Sequence, residues 1–229
     1  MIDLHCHLLP AVDDGSQSIE ESLALLGRLA QQGVHTVVAT PHFDANSESV
    51  SDFLARRQAA YEQLMSHRSE DQPAVKLGAE VRYYSGISRL PELQNLCLQG
   101  SRLLLLEMPH GRWTEYTLQE LTDLASSNTI HPVLAHIERY LSEQPMPIWM
   151  RLLQSGLLFQ VNAPFFLELT SRRKAVKLLK NQMIHFLGSD SHNLTARRPR
   201  LDEAMAVIRK KLGDDFIVPW TAFGESWFE

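Results

Sequence analysis

The sequence predicts an α/β protein built as a seven-stranded, TIM-like (β/α)7 barrel. Three observations predict it. Short apolar runs alternate with helical stretches along all 229 residues, an order that needs crossover connections and hence parallel strands. Several runs are apolar at every position, as strands are when helices cover the outside of a sheet. The runs end in polar or ionisable residues: His5-Cys6-His7, His42, Glu80, Glu107, His136, Asn162 and Asp190-Ser191-His192. An open doubly wound sheet gathers ligand groups at one switch point. A barrel brings every C-terminal strand end to one rim, so the polar endings select the barrel.

Residues 2–6 read as the first strand. Ser18 caps a helix over 19–31, supported by Glu21 three residues on, and Gly33 stops it. The β-branched run 34–40 is a buried second strand. Helical spacing resumes over 51–67, where Phe53, Ala60, Tyr61 and Leu64 are available for one face. Residues 75–81 are the third strand, and 89–98 a short helix or irregular segment closed by Gly100. The fourth strand, 103–108, is apolar up to Glu107. A helix over 115–126, a strand over 132–135 and a helix over 147–154 follow, the last ended by Gly156. Strand 157–161, helix 171–181, strand 184–187 and helix 201–212 complete the pattern before Gly213. The tail FIVPWTAFGESWFE reads as aromatic and irregular. No linker, low-complexity stretch or repeat divides the chain, so 1–229 reads as one domain.

Composition narrows the function classes. A hydrophobic content of 44% supports one sizeable core. A net charge of -5 argues against a basic nucleic-acid-binding face, and no nucleic-acid partner is expected. Two cysteines, Cys6 and Cys97, do not make a disulfide scaffold. The opening MIDLHCH lacks the basic and apolar segments of a signal peptide. The longest nearly apolar region, 146–167, is broken by Arg151, Gln154, Gln160 and Asn162 and does not read as a membrane span. A soluble cytoplasmic protein is the expectation. Ten histidines are the unusual item.

His5 and His7 stand two apart at a strand end, so both rings face one side while Cys6 faces the helices. Alone, the pair is an ordinary loop motif; with candidate partners at five other strand ends it reads as a metal clamp. Cys6 reads as buried packing. In PAVDDG, Asp13 or Asp14 can bind metal or position a water, against a turn before Gly15, and Asp14 is the preferred ligand. His42 follows a buried strand through Pro41, whereas His35 and His131 begin their strands and face the opposite end. Glu80 and Glu107 end the apolar runs KLGAE and LLLLE, where a carboxylate is costly unless paired or metal-bound. A salt bridge to Arg82 is the plain alternative for Glu80, and His110 is a secondary candidate. His136 closes HPVLAH. Asp190 and His192 repeat the two-apart spacing, Asp190 toward the ion of the first pair and His192 toward another.

Eight or nine N/O ligands exceed the needs of one ion, so two or three ions with bridging groups are the economical arrangement. The donor set suits Mn, Fe or Zn, and the lack of thiolates argues against a structural zinc site. Paired ions activate water and neutralise phosphoryl charge, so the cluster suits hydrolysis. Arg139 and Arg197, just past His136 and His192, are candidate phosphate clamps, against surface ion pairs. Asn162 and Asn193 are candidates for orienting loops. With no side-chain nucleophile, displacement would be direct and no phosphoenzyme would form.

The segments MIDLHCHLLPAVDDG, VVATPHF, GAEVRY, LEMP, LAHIERY, FQVNA and GSDSHN, in order over residues 1 to about 200, resemble the polymerase-and-histidinol-phosphatase (PHP) superfamily. Within it they are most similar to the bacterial manganese-dependent protein-tyrosine phosphatases of capsular and exopolysaccharide gene clusters. The resemblance implies a distorted seven-stranded barrel, the PHP fold, with three ions, Mn2+ before Fe or Zn. It implies that His5, His7, Glu80 and Asp190 hold one ion, Glu80, Glu107 and His136 a second, and Asp14, His42 and His192 a third. Arg139 and Arg197 would face the phosphate, with His42 and Asp14 completing the catalytic group. The implied substrate is phosphotyrosine on the tail of an autophosphorylating bacterial tyrosine kinase. Ile137 stands where the family often has proline, which bears on the loop carrying Arg139.

Two other classes compete. One is a different hydrolase on the same metals: a histidinol-phosphate or small-molecule phosphatase, a nuclease or a deacylase. Many amidohydrolases share the His-x-His strand but end a middle strand in a bridging lysine, whereas Lys76 begins its strand. The other is a non-catalytic metal-binding scaffold, which would lack a ligand or an arginine; none is missing. Trp220, Phe223, Trp227 and Phe228 read as packing over an open side of the barrel, with a peptide or subunit contact as the functional alternative. Arg172, Arg173, Lys174, Lys177 and Lys180 read as a solvated helix face that could attract an acidic phosphopeptide.

Overall fold

The computed structural model describes residues 1–127 and 129–228. Strand β1 (Ile2–Cys6) pairs with β2 (Thr36–Ala39), and β2 with β4 (Ala74–Leu77). A second set runs in the order β3 (His42–Phe43), β5 (Glu80–Arg82), β6 (Leu103–Glu107), β7 (His131–Leu134), β8 (Leu158–Asn162) and β9 (Phe186–Gly188). Every one of these pairings is parallel. The helices are α1 (Ile19–Gln31), α2 (Val50–Met65), α3 (Glu115–Ala125), α4 (Met146–Gln154), α5 (Pro164–Leu167), α6 (Arg172–Lys180), α7 (Leu201–Leu212) and α8 (Asp214–Ser226). Among the described residues no helix is long and apolar enough to cross a membrane.

Among the described residues the strands come as nine short segments, not the seven continuous runs expected. The second run stops at Thr40-Pro41, where proline has no N–H for the ladder, and resumes as β3. The third is interrupted at Gly78-Ala79 and resumes as β5. Hydrogen bonds cross both interruptions: Gly78 N donates to Ala39 O (2.8 Å) and Glu80 N to Pro41 O (3.1 Å). At the far side β9 meets β1, with Asp190 N donating to His5 O (2.8 Å) and His7 N to Ser191 O (2.9 Å). The parallel strands thus curve into a half-barrel, helices outside. A bulge between Asp3 and Cys6 adds one residue to β1 relative to β2. It lets Leu4 join the inner apolar cluster with Val38, Leu105 and Val133 while Cys6 packs on the helix side.

Local signals explain the first three helices. The Ser18 hydroxyl accepts from Glu21 N (3.2 Å), and the Glu21 carboxylate reaches back to Gln17 N (3.0 Å), one residue before the usual capping-box partner. Helix α1 then buries Ser22, Leu25, Leu26 and Leu29 on one face. Ser49 and Thr114 cap α2 and α3 in the same way. Residues 89–98, expected as a short helix or irregular segment, hold parts of two 3-10 turns, Ile87–Arg89 and Leu93–Leu96, joined by irregular chain. Helix α5 is absent from the sequence reading because four residues carry no detectable period.

The tail, read as irregular, is helix α8 despite Pro219. Proline in a helix costs about 3 kcal/mol, and apolar docking outweighs it. Ile217 is buried, Trp220 Nε1 donates to Ile184 O (3.1 Å), Phe223 stacks on Phe186 (6.0 Å) and Trp227 sits edge-on to His131 (4.9 Å). Glu225 binds the Met1 ammonium (3.5 Å) and His35 (3.0 Å). These partners lie at or near strand beginnings, so α8 covers the end of the barrel opposite the polar rim.

His185 gives this end a pH dependence. Its Nδ1 accepts from Phe159 N (2.9 Å), which requires an unprotonated nitrogen, and burial lowers its pKa from 6.5 to about 4. The unfolded chain takes up a proton below its ordinary pKa of 6.5 and the folded chain does not. The contribution is therefore complete above pH 6.5 and lost as the pH falls toward 4. Between pH 7 and pH 5 it should amount to about 2 kcal/mol at most. Urea unfolding of wild type and His185→Gln at both pH values checks this: the wild type should lose more stability than the variant. Equal losses would refute the assignment.

Candidate metal centre

All nine predicted ligand residues lie on the rim at the C-terminal strand ends. His5 is on β1 and His7 just beyond it, Asp14 is in the following loop, and His42 opens β3. Glu80 opens β5, Glu107 closes β6, His136 follows β7, and Asp190 and His192 follow β9. Glu80 is the hub. Its Oε2 lies 3.2 Å from Nε2 of both His5 and His7 and 3.1 Å from His42 Nδ1, and its Oε1 lies 2.6 Å from His136 Nε2. Glu107 Oε1 is 3.6 Å from His136 Nε2. Asp190 Oδ1 is 3.6 and 3.4 Å from Nε2 of His5 and His7. Asp14 Oδ1 is 3.4 Å from His42 Nε2 and 3.3 Å from His192 Nε2.

These atoms form three overlapping groups, each with donor atoms within 4.8 Å of one another: His5, His7, Asp190; His7, Asp14, His42, His192; and His42, Glu80, Glu107. The partition differs slightly from the one the family resemblance implies. His7 joins the Asp14 group as well as its own, and His42 joins Glu80 and Glu107. His136 reaches that last group through its short contact with Glu80.

The chemistry of the donor set fits divalent cations. The far nitrogen of four rings is already occupied. His7 Nδ1 meets Asp13 Oδ2 (2.7 Å), His192 Nδ1 the Asp190 carbonyl (3.0 Å), His5 Nδ1 Gln160 Oε1 (3.3 Å) and His136 Nδ1 the Tyr140 hydroxyl (3.5 Å). A proton held at Nδ1 leaves the Nε2 lone pair for a metal. The Nε2 atoms of His5 and His7 lie only 3.1 Å apart. His192 Nε2 is buried without a hydrogen-bond partner although Asp14 is 3.3 Å away, so the groups do not aim at each other. An orphan of this kind costs about 1–3 kcal/mol unless something else satisfies it.

Electrostatics agree. Burial pushes the Glu80 carboxyl up, but His5 and the hydrogen bonds from His136 and His42 outweigh it and hold it well below the usual range. Burial likewise opposes ionisation of Asp190, and His5 and His7 overcome it. Burial pushes the His7 ring down, yet Asp13, Asp190 and Glu80 hold its pKa well above 6.5. Negative charge that retains a proton on a buried imidazole also favours a cation, which would displace that proton. Burial and the neighbouring His7 hold His192 down at about 4, in the neutral form a ligand needs.

Both predicted arginines reach the same rim. Arg139 Nη2 lies 2.9 Å from Asp190 Oδ2 and its Nη1 3.4 Å from Glu107 Oε1. Arg197 Nη2 lies 2.8 Å from Asp190 Oδ1 and its Nη1 3.7 Å from Asp14 Oδ2. Ile137 is buried and starts the turn that carries Arg139. Asn193 Oδ1 accepts from Thr195 N and Arg197 N (3.0 Å each), shaping the Arg197 loop. His110 is off the site, paired with Glu143 (2.9 Å), and Arg82 pairs with Asp44 (3.2 Å), leaving Glu80 to the histidines.

Two contributors, Gln160 and Glu138, escape a sequence reading, and a third, Asp13, takes a role that the DD pair leaves open. Asp13 orients His7 and also accepts from His42 N (3.0 Å); the DD pair signals a carboxylate but not which one faces the rings. Gln160 touches His5 and His136, its only signal being an amide inside the apolar run LFQVN. Glu138 accepts from Asn162 N (3.1 Å), and burial raises its pKa to about 8.

The comparisons with known proteins place the chain among its relatives. The model of the family described as capsular polysaccharide synthesis, CpsB/CapC, matches residues 1–219. The tyrosine-protein phosphatase YwqE of Bacillus subtilis is 32% identical over 222 residues, 94% of this chain and 86% of that protein. The tyrosine-protein phosphatase CpsB of Streptococcus pneumoniae is 33% identical over 233 residues, 93% of this chain and 91% of that protein. A chain from the crystal structures of these two proteins, described as unique metal-dependent tyrosine phosphatases, superposes with a TM-score of 0.85 at 26% identity. That match covers 100% of this chain and 94% of the other. A rim of imidazoles and carboxylates on this fold, in a sequence matched almost from end to end, places the chain in the CpsB/CapC capsular polysaccharide synthesis family.

Proposed function

We propose that this chain is a metal-dependent protein-tyrosine phosphatase whose substrate is the phosphorylated tail of a bacterial tyrosine kinase controlling capsule or exopolysaccharide production. The observation that carries the reading is the convergence of His5, His7, His42 and His136 on the single Glu80 carboxylate. The tyrosine phosphatases to which the chain is similar supply the substrate class. His5, His7, Asp14, His42, Glu80, Glu107, His136, Asp190 and His192 would hold three ions, Mn2+ before Fe or Zn, as befits N/O donors. The nine strand segments are read as seven staves of a distorted closed barrel, with 1–229 as one PHP domain. The cytoplasm, where the kinase tail would lie, is the proposed location.

When bound, the ions supply activated water and neutralise the charge of the phosphoryl group. Asp14 and His42, 64% and 38% exposed, form the open edge of the site, where substrate arrives. Arg139 and Arg197 stand at that edge and clamp phosphoryl oxygens through paired N–H groups. Neither cysteine competes as a nucleophile. Burial pushes the Cys6 thiol well above its ordinary pKa and the Cys97 thiol up to about 12. No phosphoenzyme should form.

The test is hydrolysis by stripped protein reloaded separately with Mn, Zn, Fe, Co or Mg. Phosphotyrosine peptides are compared with phosphoserine peptides, histidinol phosphate and a short oligonucleotide. Mn-supported turnover preferring phosphotyrosine is expected, with no label left on protein quenched during turnover of phosphorus-labelled substrate. Preference for histidinol phosphate or the oligonucleotide would keep the centre and overturn the substrate. Absence of turnover with every metal would overturn the enzyme.

A further inference from the structure

We infer that Gln160 and Asn162 form a buried amide relay that fixes the ring tautomer of His5 and holds the backbone of His136 and the carboxylate of Asp190 in place. The inference rests on the metal reading above and assigns both amides as positioning residues. They join three groups that arrive from different strand ends.

The orientation of the relay follows from one donor that cannot be reversed. The backbone N–H of His136 can only donate, and it lies 2.7 Å from the Gln160 side chain, so the atom facing it is Oε1. The same oxygen lies 3.3 Å from His5 Nδ1, which must therefore carry a proton. That leaves His5 Nε2, 3.2 Å from Glu80 Oε2, as the nitrogen whose lone pair a metal would take. At the other end of the amide, Gln160 Nε2 donates to Asn162 Oδ1 (2.9 Å). Asn162 must then present Nδ2 to Asp190 Oδ2, and it does so at 2.8 Å. Turning either amide over breaks bonds at both of its ends.

Two further observations make the relay more than polar filling. His136 and Asp190 have φ of 32° and 49°, in the left-handed region that residues other than glycine seldom occupy. Such conformations persist only where surrounding contacts impose them. The relay attaches to both, through the N–H of one and the carboxylate of the other. Space is also reserved for it: a Cβ on Gly188 would lie 2.7 Å from both Gln160 Nε2 and His5 Cβ. Gln160 is fully buried between apolar strand neighbours, where an amide without partners is costly.

The experiment combines metal affinities by chelator competition with ring-nitrogen shifts of His5 in zinc-loaded protein. Wild type should show the proton on His5 Nδ1 and the metal on Nε2. Gln160→Met, which keeps the volume and removes both polar ends, should weaken at least one ion by roughly tenfold to a hundredfold. Gln160→Glu retains the acceptor for His5 and His136 but gives up the donor to Asn162 Oδ1, and should recover part of that loss. A merely structural role would instead lower the melting temperature of stripped protein and leave affinity unchanged. Affinities within about twofold of wild type in Gln160→Met, or metal on His5 Nδ1 in wild type, would overturn the relay. Should Gln160→Met not fold, the wild-type assignment and Asn162→Ala, which releases only Asp190, decide it. Wild-type protein that binds no divalent ion overturns the metal reading itself, a result distinct from every outcome for the variants.

Discussion

Glu80→Gln is expected to lower kcat/KM for a phosphotyrosine peptide by roughly a thousandfold with Mn2+ in excess, because removing one partner of a buried charge cluster costs about 3–5 kcal/mol. The substitution keeps shape and volume. It removes the negative charge that faces His5, His7 and His42 at 3.1–3.2 Å and His136 at 2.6 Å. A neutral amide would also turn an N–H toward an imidazole whose lone pair is needed elsewhere. Among the described residues no other carboxylate contacts all four rings: Asp190 lies beside His5, His7 and His192, Asp14 beside His42 and His192, and Glu107 beside His136 and Arg139, with His42 in its group. Metal content after gel filtration should fall with activity. His110→Ala is the control, since that ring is 71% exposed and paired with Glu143 away from the rim. It should stay within about twofold of wild type, as surface substitutions usually do. Glu80→Gln that keeps its metal and its rate would remove Glu80 from the centre.

The contrast between Glu80 and Gln160 shows what the sequence reveals and why. A carboxylate at the end of an apolar strand stands out because its burial is expensive, so Glu80 and Glu107 are legible one at a time. His5 and His7 are legible because a strand's period of two puts them on one face, and they meet at 3.1 Å. Glutamine carries no such cost signal. Gln160 reads as one more interruption of an apolar stretch until β8 places it under His5 and His136. Asp13 and Asp14 are adjacent carboxylates, and only the turn geometry sends one to His7 Nδ1 and the other to His42 and His192. For the fold, alternating runs and caps locate strands and helices, while the interruptions at Pro41 and Gly78 need the neighbouring strands to explain them. Helix α8 is illegible for a related reason. Pro219 and Gly224 argue locally against a helix, and the docking that outweighs them, on Ile184, Phe186 and His131, comes from residues far away in sequence.

Arg139 and Arg197 should prove separable from the metal ligands they touch. Each directs one Nη2 at a different oxygen of Asp190, at 2.9 and 2.8 Å, with Arg139 placed by the turn after His136 and Arg197 by the Asn193 loop. If they serve as a phosphate clamp, Arg139→Ala and Arg197→Ala each remove charge-assisted hydrogen bonds worth about 1.5–3 kcal/mol, a loss of roughly tenfold to a hundredfold in kcat/KM. Lysine should restore little, because an ammonium cannot present two parallel N–H groups to a phosphoryl oxygen pair. Metal stoichiometry should be preserved in all four single variants. If the arginines served only to neutralise Asp190, alanine would change the metal affinity first and the rate would follow metal occupancy. The two roles also differ in product inhibition. A clamp predicts that inorganic phosphate binds the alanine variants more weakly in proportion to their loss of kcat/KM, whereas a role confined to Asp190 predicts unchanged phosphate affinity once the ions are saturated. Arginine variants with wild-type phosphate affinity and depleted metal would therefore move both residues from the substrate to the support of Asp190.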